Sequence, residues 1–227
     1  MGKQLSLELK LPTSFRRDAF VVSQANEAAV RAVDAWPNWH GGCLALIGPE
    51  GVGKTHLANA WAASARASVI APADLTAPLD LAGFQGRPVL FEDADRGAPD
   101  ELLFHLINMA GETGGGLLLT ARTPPSAWVT RLPDLRSRLN ALPVALLPPP
   151  DDAILRGALN KFFRERHIRP TDELIDYLLK RIERSIPHAQ AIVARLDAAA
   201  GPEHRAVSRT LARQILEIDN ESRDPCD

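Results

Sequence analysis

The feature that most constrains the fold is a glycine-rich segment between an apolar run and a helical pattern. The segment Gly48-Pro-Glu-Gly-Val-Gly-Lys-Thr55 follows the apolar run Cys43–Ile47 and precedes the helical run His56–Trp61. It matches the pattern G-x-x-x-x-G-K-[ST], which joins a strand to a helix. Glycines at these positions let backbone N–H groups converge on phosphate groups, and the helix adds the positive end of its dipole. The segment therefore predicts a P-loop that holds phosphates, rather than a chance glycine-rich turn.

The side chains of this loop have separate predicted roles. We expect Lys54 to meet the outer phosphates and Thr55 to offer its hydroxyl to Mg²⁺. The predicted ligands are therefore ADP or ATP together with Mg²⁺. The candidate cofactor-binding residues in and just after the loop are Gly48, Gly51, Val52, Gly53, Lys54, Thr55 and His56.

A second motif places two acids at the end of an apolar strand. The segment Pro88-Val-Leu-Phe-Glu92-Asp93 is typical of a Walker B strand, in which one carboxylate orders the metal and its neighbour positions the attacking water. Glu92 is the candidate metal ligand beside Thr55, and Glu92 and Asp93 are candidate catalytic residues. Because glutamate replaces the usual aspartate, its extra methylene shifts the carboxylate, and we expect weak self-hydrolysis. A solvated acidic strand end is the alternative.

Five short apolar runs alternate with helical patterns up to a proline cluster. Such alternation is typical of an α/β domain with a parallel sheet covered on both faces. Three successive prolines, Pro148–Pro150, can join neither a helix nor a central strand, so we place a domain boundary there. The predicted strands are Cys43–Ile47, Ser68–Ala71, Val89–Phe91, Leu117–Thr120 and Val144–Leu147.

The remainder of the chain is predicted to be a small helical domain. Asp151 and Thr171 are suitable N-caps, and Pro187 suits a first helical turn. The predicted organisation is a tail over residues 1–12, an α/β domain over 13–147 and a helical domain over 148–227. The helical patterns are 24–35 before the P-loop and 152–166, 172–184, 187–199 and 206–218 after the prolines.

Composition excludes several functional classes. The 227 residues have a formal net charge of −2, which lacks the basic excess of a protein that binds DNA on its own. Two cysteines support neither a disulfide framework nor a zinc site. No apolar run approaches the roughly 20 residues of a membrane span, and the first residues do not form a signal peptide. We expect a cytoplasmic protein without a membrane partner.

The motifs taken together resemble the AAA+ core of the bacterial replication initiator DnaA. The resemblance rests on the P-loop, Glu92-Asp93, Leu117–Thr120, Asp134-Leu-Arg-Ser-Arg138-Leu and the proline-marked helical domain. It implies a five-stranded parallel AAA+ sheet with a C-terminal helical lid. Because the chain begins almost at the core and stops after the lid, it is similar to the Hda-type, DnaA-homologous regulators. That resemblance implies that Phe20 and Val21 contact the adenine.

The same resemblance assigns roles to an arginine and to the N-terminal tail. Arg138 occupies the place of an arginine finger that reaches a neighbouring subunit's nucleotide, and Arg131 and Arg136 are weaker candidates. The tail resembles a peptide that binds the β sliding clamp of DNA polymerase III, since alternate side chains of an extended peptide can enter a groove. A short edge strand is the alternative for the tail. Its candidate clamp-binding residues are Gln4, Leu5, Ser6, Leu7 and Leu9.

Two segments depart from the family pattern. Thr120-Ala-Arg-Thr123 lies where a first nucleotide sensor is expected, but the usual Asp or Asn is absent. Ser185-Ile-Pro-His188 starts the lid helix where an arginine is expected. We therefore expect binding to survive while self-hydrolysis and the discrimination between ATP and ADP weaken.

The resemblance implies a negative regulator of replication initiation. Bound to the DNA-loaded clamp, such a protein stimulates hydrolysis of DnaA-bound ATP and touches DNA only through the clamp. Two alternatives remain open: a helicase-loader ATPase that binds single-stranded DNA and the replicative helicase, and an anchor that recruits DnaA without chemical effect. A homodimer is also left open.

Overall fold

The computed structural model describes residues 16–71, 75, 81–201 and 207–223. The described residues form a parallel sheet of five strands in the order β2-β3-β4-β1-β5. All five predicted strands are confirmed, with ends that differ by at most one residue. Their bounds are β1 Cys43–Ile47, β2 Ser68–Ile70, β3 Val89–Phe91, β4 Leu117–Ala121 and β5 Val144–Leu146.

Helices cover both faces of this sheet because successive strand side chains alternate between the faces. Leu90 of β3 packs in one core with Leu118 and helices α1 and α2, whereas Phe91 packs in the other core with Leu119 and helices α3 and α4. The central strands β1 and β4 are buried at every position. These helices are α1 Glu27–Asp34, α2 Lys54–Ala65, α3 Asp100–Thr113 and α4 Pro133–Ala141.

In the described residues after the prolines, four further helices form a separate core. This core is built around Phe163, Leu178 and Leu196. Asp151 and Thr171 are N-caps as predicted, because their side chains accept hydrogen bonds from the backbone nitrogens of Ile154 and Leu174. The helices are α5 Asp152–Glu165, α6 Asp172–Leu179, α7 Ile186–Ala200 and α8 Arg209–Arg223. Short 3₁₀ turns occur at Arg17–Ala19, His40–Gly42, Leu81–Phe84 and Pro125–Ala127.

Several predicted helix ends were wrong. The helix predicted over 24–35 spans only Glu27–Asp34, and the last begins and ends later than predicted, at Arg209 and Arg223. Helix α6 ends at Leu179 instead of 184. The chain turns there because the following residues approach the P-loop, where the nitrogen of Ile186 donates to the oxygen of Gly51.

Two sequence predictions fall outside the described residues. These are the tail 1–12 and its candidate clamp-binding residues Gln4, Leu5, Ser6, Leu7 and Leu9. Within the described parts of the chain, no helix combines the length and apolar character needed to cross a membrane.

Candidate nucleotide-binding site

The P-loop leaves the C-terminal end of β1 at the centre of the sheet. Its first nitrogen, that of Gly48, donates to the oxygen of Ala121 at the end of β4, at 3.2 Å. A Cβ atom on Gly48 would lie 2.2 Å from the oxygen of Leu147, so only glycine fits between these strands. Gly53, with a φ of +101°, precedes the first turn of α2. The loop therefore places the N-terminus of α2 toward the space above the sheet.

The side chain of Lys54 folds back and contacts the loop that precedes it. Its Nζ donates to the oxygens of Gly48 and Pro49, both at 2.7 Å, and only 8% of the residue is exposed. Burial lowers the pKa of this amine, and the negative charge of Asp93 opposes that change. The ammonium group thus lies beneath the loop, where it can meet the outer phosphates of a bound nucleotide.

The P-loop also contacts the helical lid directly. Gly51 has a φ of +77°, and a Cβ atom there would lie 2.6 Å from Oγ of Ser185 and 3.1 Å from Cδ of Pro187. Its oxygen accepts a hydrogen bond of 2.9 Å from the nitrogen of Ile186. The lid therefore closes over the loop through backbone contacts at the start of α7.

A cavity of about 640 Å³ lies between the α/β domain and the lid. This volume is within the range of small-molecule and cofactor sites. Its wall combines the P-loop with charged side chains from the sheet edge and apolar side chains from the lid. Members from the lid are Ile154, Ala158, Lys161, Phe162, Glu165, Ile186, Pro187 and Gln190.

The N-terminal segment forms one wall of this cavity. Phe20 contacts His56 edge to face, with ring centroids 5.5 Å apart, and approaches Gly53. Val21 packs on the lid helix α5 at Gly157, where a Cβ atom would lie 2.8 Å from a Val21 methyl group. The structure therefore brings Phe20 and Val21 together with the P-loop residues from Gly51 to His56. An adenine contact by Phe20 and Val21 stays a prediction.

The two acidic side chains that follow β3 lie in different environments. Asp93 lines the cavity, whereas Glu92 accepts a 2.7 Å hydrogen bond from Nδ2 of Asn59 on α2. Burial raises the pKa of Glu92, and this hydrogen bond opposes the rise. The same amide of Asn59 donates to the oxygen of Thr55 at 2.9 Å, so Asn59 links the acid to the first turn of α2.

Mg²⁺ commonly binds through one or two carboxylates together with substrate phosphates. The Thr55 hydroxyl and the adjacent carboxylates of Glu92 and Asp93 are a fitting donor set of this kind. Among the described residues, no group of three or more His, Cys, Asp or Glu side chains could hold a metal without a nucleotide. The metal roles of Thr55 and Glu92, and the catalytic roles of Glu92 and Asp93, stay predictions.

Sequence reasoning missed several charged groups in the cavity wall. Arg96, Arg122 and Lys161 all line the cavity, yet none of them was assigned a role from the sequence. Arg122 follows β4, the neighbour of β1, so its place beside the P-loop could be expected from the strand order. Arg96 forms an ion pair with Asp93 at 3.4 Å. The cavity wall therefore contains three basic side chains besides Lys54, and carboxylates pair with two of them.

Arg138 is not among the residues that line this cavity. It is exposed on α4, and its guanidinium lies 5.4 Å from the ring centroid of Phe104. Burial raises the pKa of the Cys43 thiol to about 12, and the nearby charge of Arg138 opposes the rise. Cys43 begins β1, whereas the P-loop follows its last residue. The charge of Arg138 thus acts at the start of β1, the end of this strand that does not carry the P-loop.

Arg136, by contrast, is held by its own chain. Its guanidinium donates to the oxygen of Ser126 at 3.0 Å and to the oxygen of Trp128. These bonds fix the loop that precedes α4. Arg138 is therefore the more available of these two arginines for a contact outside the chain.

The strand order, the P-loop and the helical lid define the AAA+ P-loop fold. Domain III of the replication initiation protein DnaA from Thermotoga maritima has the same fold. The TM-score is 0.73 at 19% sequence identity, and the match covers 92% of this chain and 98% of that one. AMPPCP-bound DnaA from Aquifex aeolicus gives a TM-score of 0.69 at 16% identity, over 93% of this chain and 71% of that one. No family model matches the chain.

The sequence itself is similar to DnaA. The chain is 29% identical to the chromosomal replication initiator protein DnaA of Caulobacter sp. strain K31, over 92% of its own length. It spans about half of that relative, since the match covers 49% of the Caulobacter protein. The chain is thus similar to DnaA in sequence and has the AAA+ fold.

Proposed function

We propose that this protein binds an adenine nucleotide and regulates replication initiation by presenting Arg138 to ATP bound on DnaA. In this proposal it is an Hda-type negative regulator, and it converts DnaA to its ADP form. The observation that carries the proposal is the placement of Arg138, which is exposed on α4 and does not line the cavity that contains its own P-loop.

The position of Arg138 favours action on a neighbouring molecule. The permanently charged guanidinium can stabilise charge that develops on transferring phosphate oxygens. Because Arg138 does not line the cavity that contains the P-loop of its own chain, the phosphate that it contacts would belong to another molecule. Contact with the Phe104 ring holds the guanidinium at the surface of α4 without removing it from solvent.

The cavity supports the nucleotide part of the proposal. It joins the P-loop, Lys54 and the lid helices α5 and α7 in one wall. The related A. aeolicus DnaA structure contains AMPPCP, a non-hydrolysable ATP analogue. Bound ADP or ATP with Mg²⁺ would bridge the loop and the lid, so the nucleotide would set the lid position. Its contribution in this chain is mainly structural.

The remaining parts of the proposal concern partners. The tail residues Gln4, Leu5, Ser6, Leu7 and Leu9 bind the DNA polymerase III sliding clamp, which places Arg138 near DnaA on DNA. DNA is reached only through the clamp. The net charge of −2 supports this arrangement, since it gives little attraction to the DNA backbone.

Single-turnover hydrolysis of ATP bound to DnaA tests the proposal. The unaltered protein with DNA-loaded clamp should accelerate hydrolysis, and Arg138→Ala should reduce that acceleration at least about tenfold, since trans arginine fingers are worth 10³ to 10⁵ in GTPases. Arg169→Ala, which changes an exposed arginine between α5 and α6, is the matched control and should act like the unaltered protein. Full stimulation by Arg138→Ala would exclude the finger role. If the protein bound single-stranded DNA and the replicative helicase but did not stimulate ATP hydrolysis by DnaA, a helicase-loader function would be favoured instead.

A further inference from the structure

Glu50 in the P-loop and Arg122 after β4 form an ion pair at the mouth of the nucleotide cavity. The sheet brings them together, because Ala121 at the end of β4 pairs with Ile47 at the end of β1. The next nitrogen, that of Gly48, donates to the oxygen of Ala121. The chain leaving β4 therefore runs beside the chain entering the P-loop.

The backbone at Arg122 is fixed while the paired side chains stay accessible. One carboxylate oxygen of Asp95 accepts hydrogen bonds from the nitrogens of Arg122 and Thr123, at 2.8 and 3.1 Å, and from the Thr123 hydroxyl at 3.1 Å. The side chains of Arg122 and Glu50 are 39% and 74% exposed. An ion pair this exposed is weak, so a stronger anion can displace Glu50 from Arg122.

The pair also lies within electrostatic range of Lys54, the amine expected to meet the outer phosphates. Burial is the main cause that lowers the pKa of Lys54, with Asp93 opposing it. The charge of Arg122 lowers this pKa further and the charge of Glu50 raises it. Glu50 and Arg122 thus act on the same small volume as Lys54, and both line the cavity.

We infer that the Glu50–Arg122 pair sets the preference of this site between nucleoside diphosphates and triphosphates, in favour of the diphosphate. The inference rests on the proposed nucleotide binding. A diphosphate leaves the pair intact. The third phosphate of a triphosphate takes Arg122 from Glu50, because a guanidinium binds a phosphate through two parallel hydrogen bonds. It must also approach the Glu50 carboxylate, which repels it.

Calorimetric titration of the full chain with ADP and with AMPPCP, in excess Mg²⁺, tests this inference. Glu50→Gln keeps the size of the side chain and removes its charge, so it should raise the affinity for AMPPCP relative to ADP roughly fivefold or more, as expected for a contact with a charged group. Arg122→Gln should lower the same ratio. In an Arg122→Gln background the effect of Glu50→Gln should shrink, because no guanidinium remains to be released.

Asp176→Asn is the matched control, since Asp176 forms a similarly exposed ion pair with Arg156 in the lid. It should leave the AMPPCP to ADP ratio unchanged. Equal changes in both affinities on Glu50→Gln, or an unchanged ratio on Arg122→Gln, would overturn the inference and leave the proposed nucleotide site standing. Failure of the unaltered protein to bind ADP would overturn that site and the inference with it.

Discussion

The oxygen of Gly51 in the P-loop accepts a 2.9 Å hydrogen bond from the nitrogen of Ile186 at the start of the lid helix α7. This bond joins the loop expected to hold phosphates to the domain expected to respond to them. It needs no charged side chain from the lid. The lid can therefore sense the loop although the segment Ser185–His188 lacks the arginine expected from the family pattern.

Gly51→Ala should weaken this junction. The new Cβ atom would lie 2.6 Å from Oγ of Ser185, which caps α7 by accepting from the nitrogen of His188, so relief of the clash costs the cap. Gly114→Ala is the control, because Gly114 has a similar φ of +73° and open space around it. We expect Gly51→Ala to lower Tm by about 2–4 °C more than Gly114→Ala, for roughly 1 kcal/mol of extra destabilisation. Equal decreases in Tm for the two variants would show that backbone strain alone causes the loss of stability.

Lys54→Ala should abolish the stabilisation of the protein by ADP. The variant loses the amine expected at the outer phosphates, and a ligand present at 100 times its Kd stabilises a protein by about 2.7 kcal/mol. Thermal melting with and without ADP measures this difference. Lys180→Ala, an exposed lysine at the end of α6, should keep the full shift. An undiminished ADP shift in Lys54→Ala would exclude the phosphate role of Lys54.

A third prediction concerns Asp151, which joins the N-terminal segment to the lid. Its carboxylate caps α5 through Ile154 and accepts a 2.7 Å hydrogen bond from the Ser23 hydroxyl. Asp151→Ala should cost about 1 kcal/mol of unfolding free energy, a typical value for a lost cap. Ser23→Ala should cost less, because it leaves the cap in place. Urea unfolding measures both, and a greater loss for Ser23→Ala would contradict this assignment.

The contribution of Asp151 should depend on pH. Burial opposes its ionisation, but the hydrogen bonds from Ser23 and from the backbone outweigh burial and lower the pKa of Asp151. A lowered pKa in the folded state adds stability above the unfolded pKa, near 3.8, and that stability is lost as pH falls through the folded value. Asp151→Asn keeps a cap and should lose this acid-dependent part alone. Parallel pH profiles for Asp151→Asn and the unaltered protein would contradict the prediction.

Leu5→Ala combined with Leu7→Ala should abolish binding to the sliding clamp and leave ADP binding unchanged. Peptide anchors of this kind concentrate binding energy in a few buried side chains. Lys10→Ala, just beyond the segment, is the control. Co-elution of the doubly altered protein with the clamp would exclude the tail as the clamp-binding element.

The strands and the P-loop were predictable because their signals are local. Each strand is a short apolar run, and Gly48–Thr55 has a fixed spacing, so neither depends on distant partners. The end of α6 was not predictable, because the helix stops before the segment that brings Ile186 into contact with Gly51. Such a contact joins residues more than a hundred positions apart. Local periodicity contains no information about it.

In the candidate site, too, local motifs were predictable from the sequence, whereas contacts between distant residues were not. The motif predicted that Glu92 and Asp93 lie together after β3, but the motif could not show that Asn59 would bind Glu92 while Asp93 lines the cavity. Arg122 was noted only within a segment that departs from the family pattern. Its pairing with Glu50 depends on the strand order, which places β4 next to β1.

The last prediction separates the two arginines of α4 by stability as well as by activity. Arg136 donates to the oxygens of Ser126 and Trp128, so Arg136→Ala should destabilise the loop before α4 by about 1 kcal/mol and lower Tm by about 2–4 °C. Arg138→Ala loses only an exposed contact with Phe104 and should change stability by about 0.5 kcal/mol or less. Arg138→Lys should keep that stability and yet restore little stimulation of DnaA, because an ammonium group lacks the planar fork. Thermal melting and single-turnover hydrolysis on the same preparations measure both properties. If Arg136→Ala abolished stimulation at unchanged stability while Arg138→Ala stimulated fully, the finger would be Arg136.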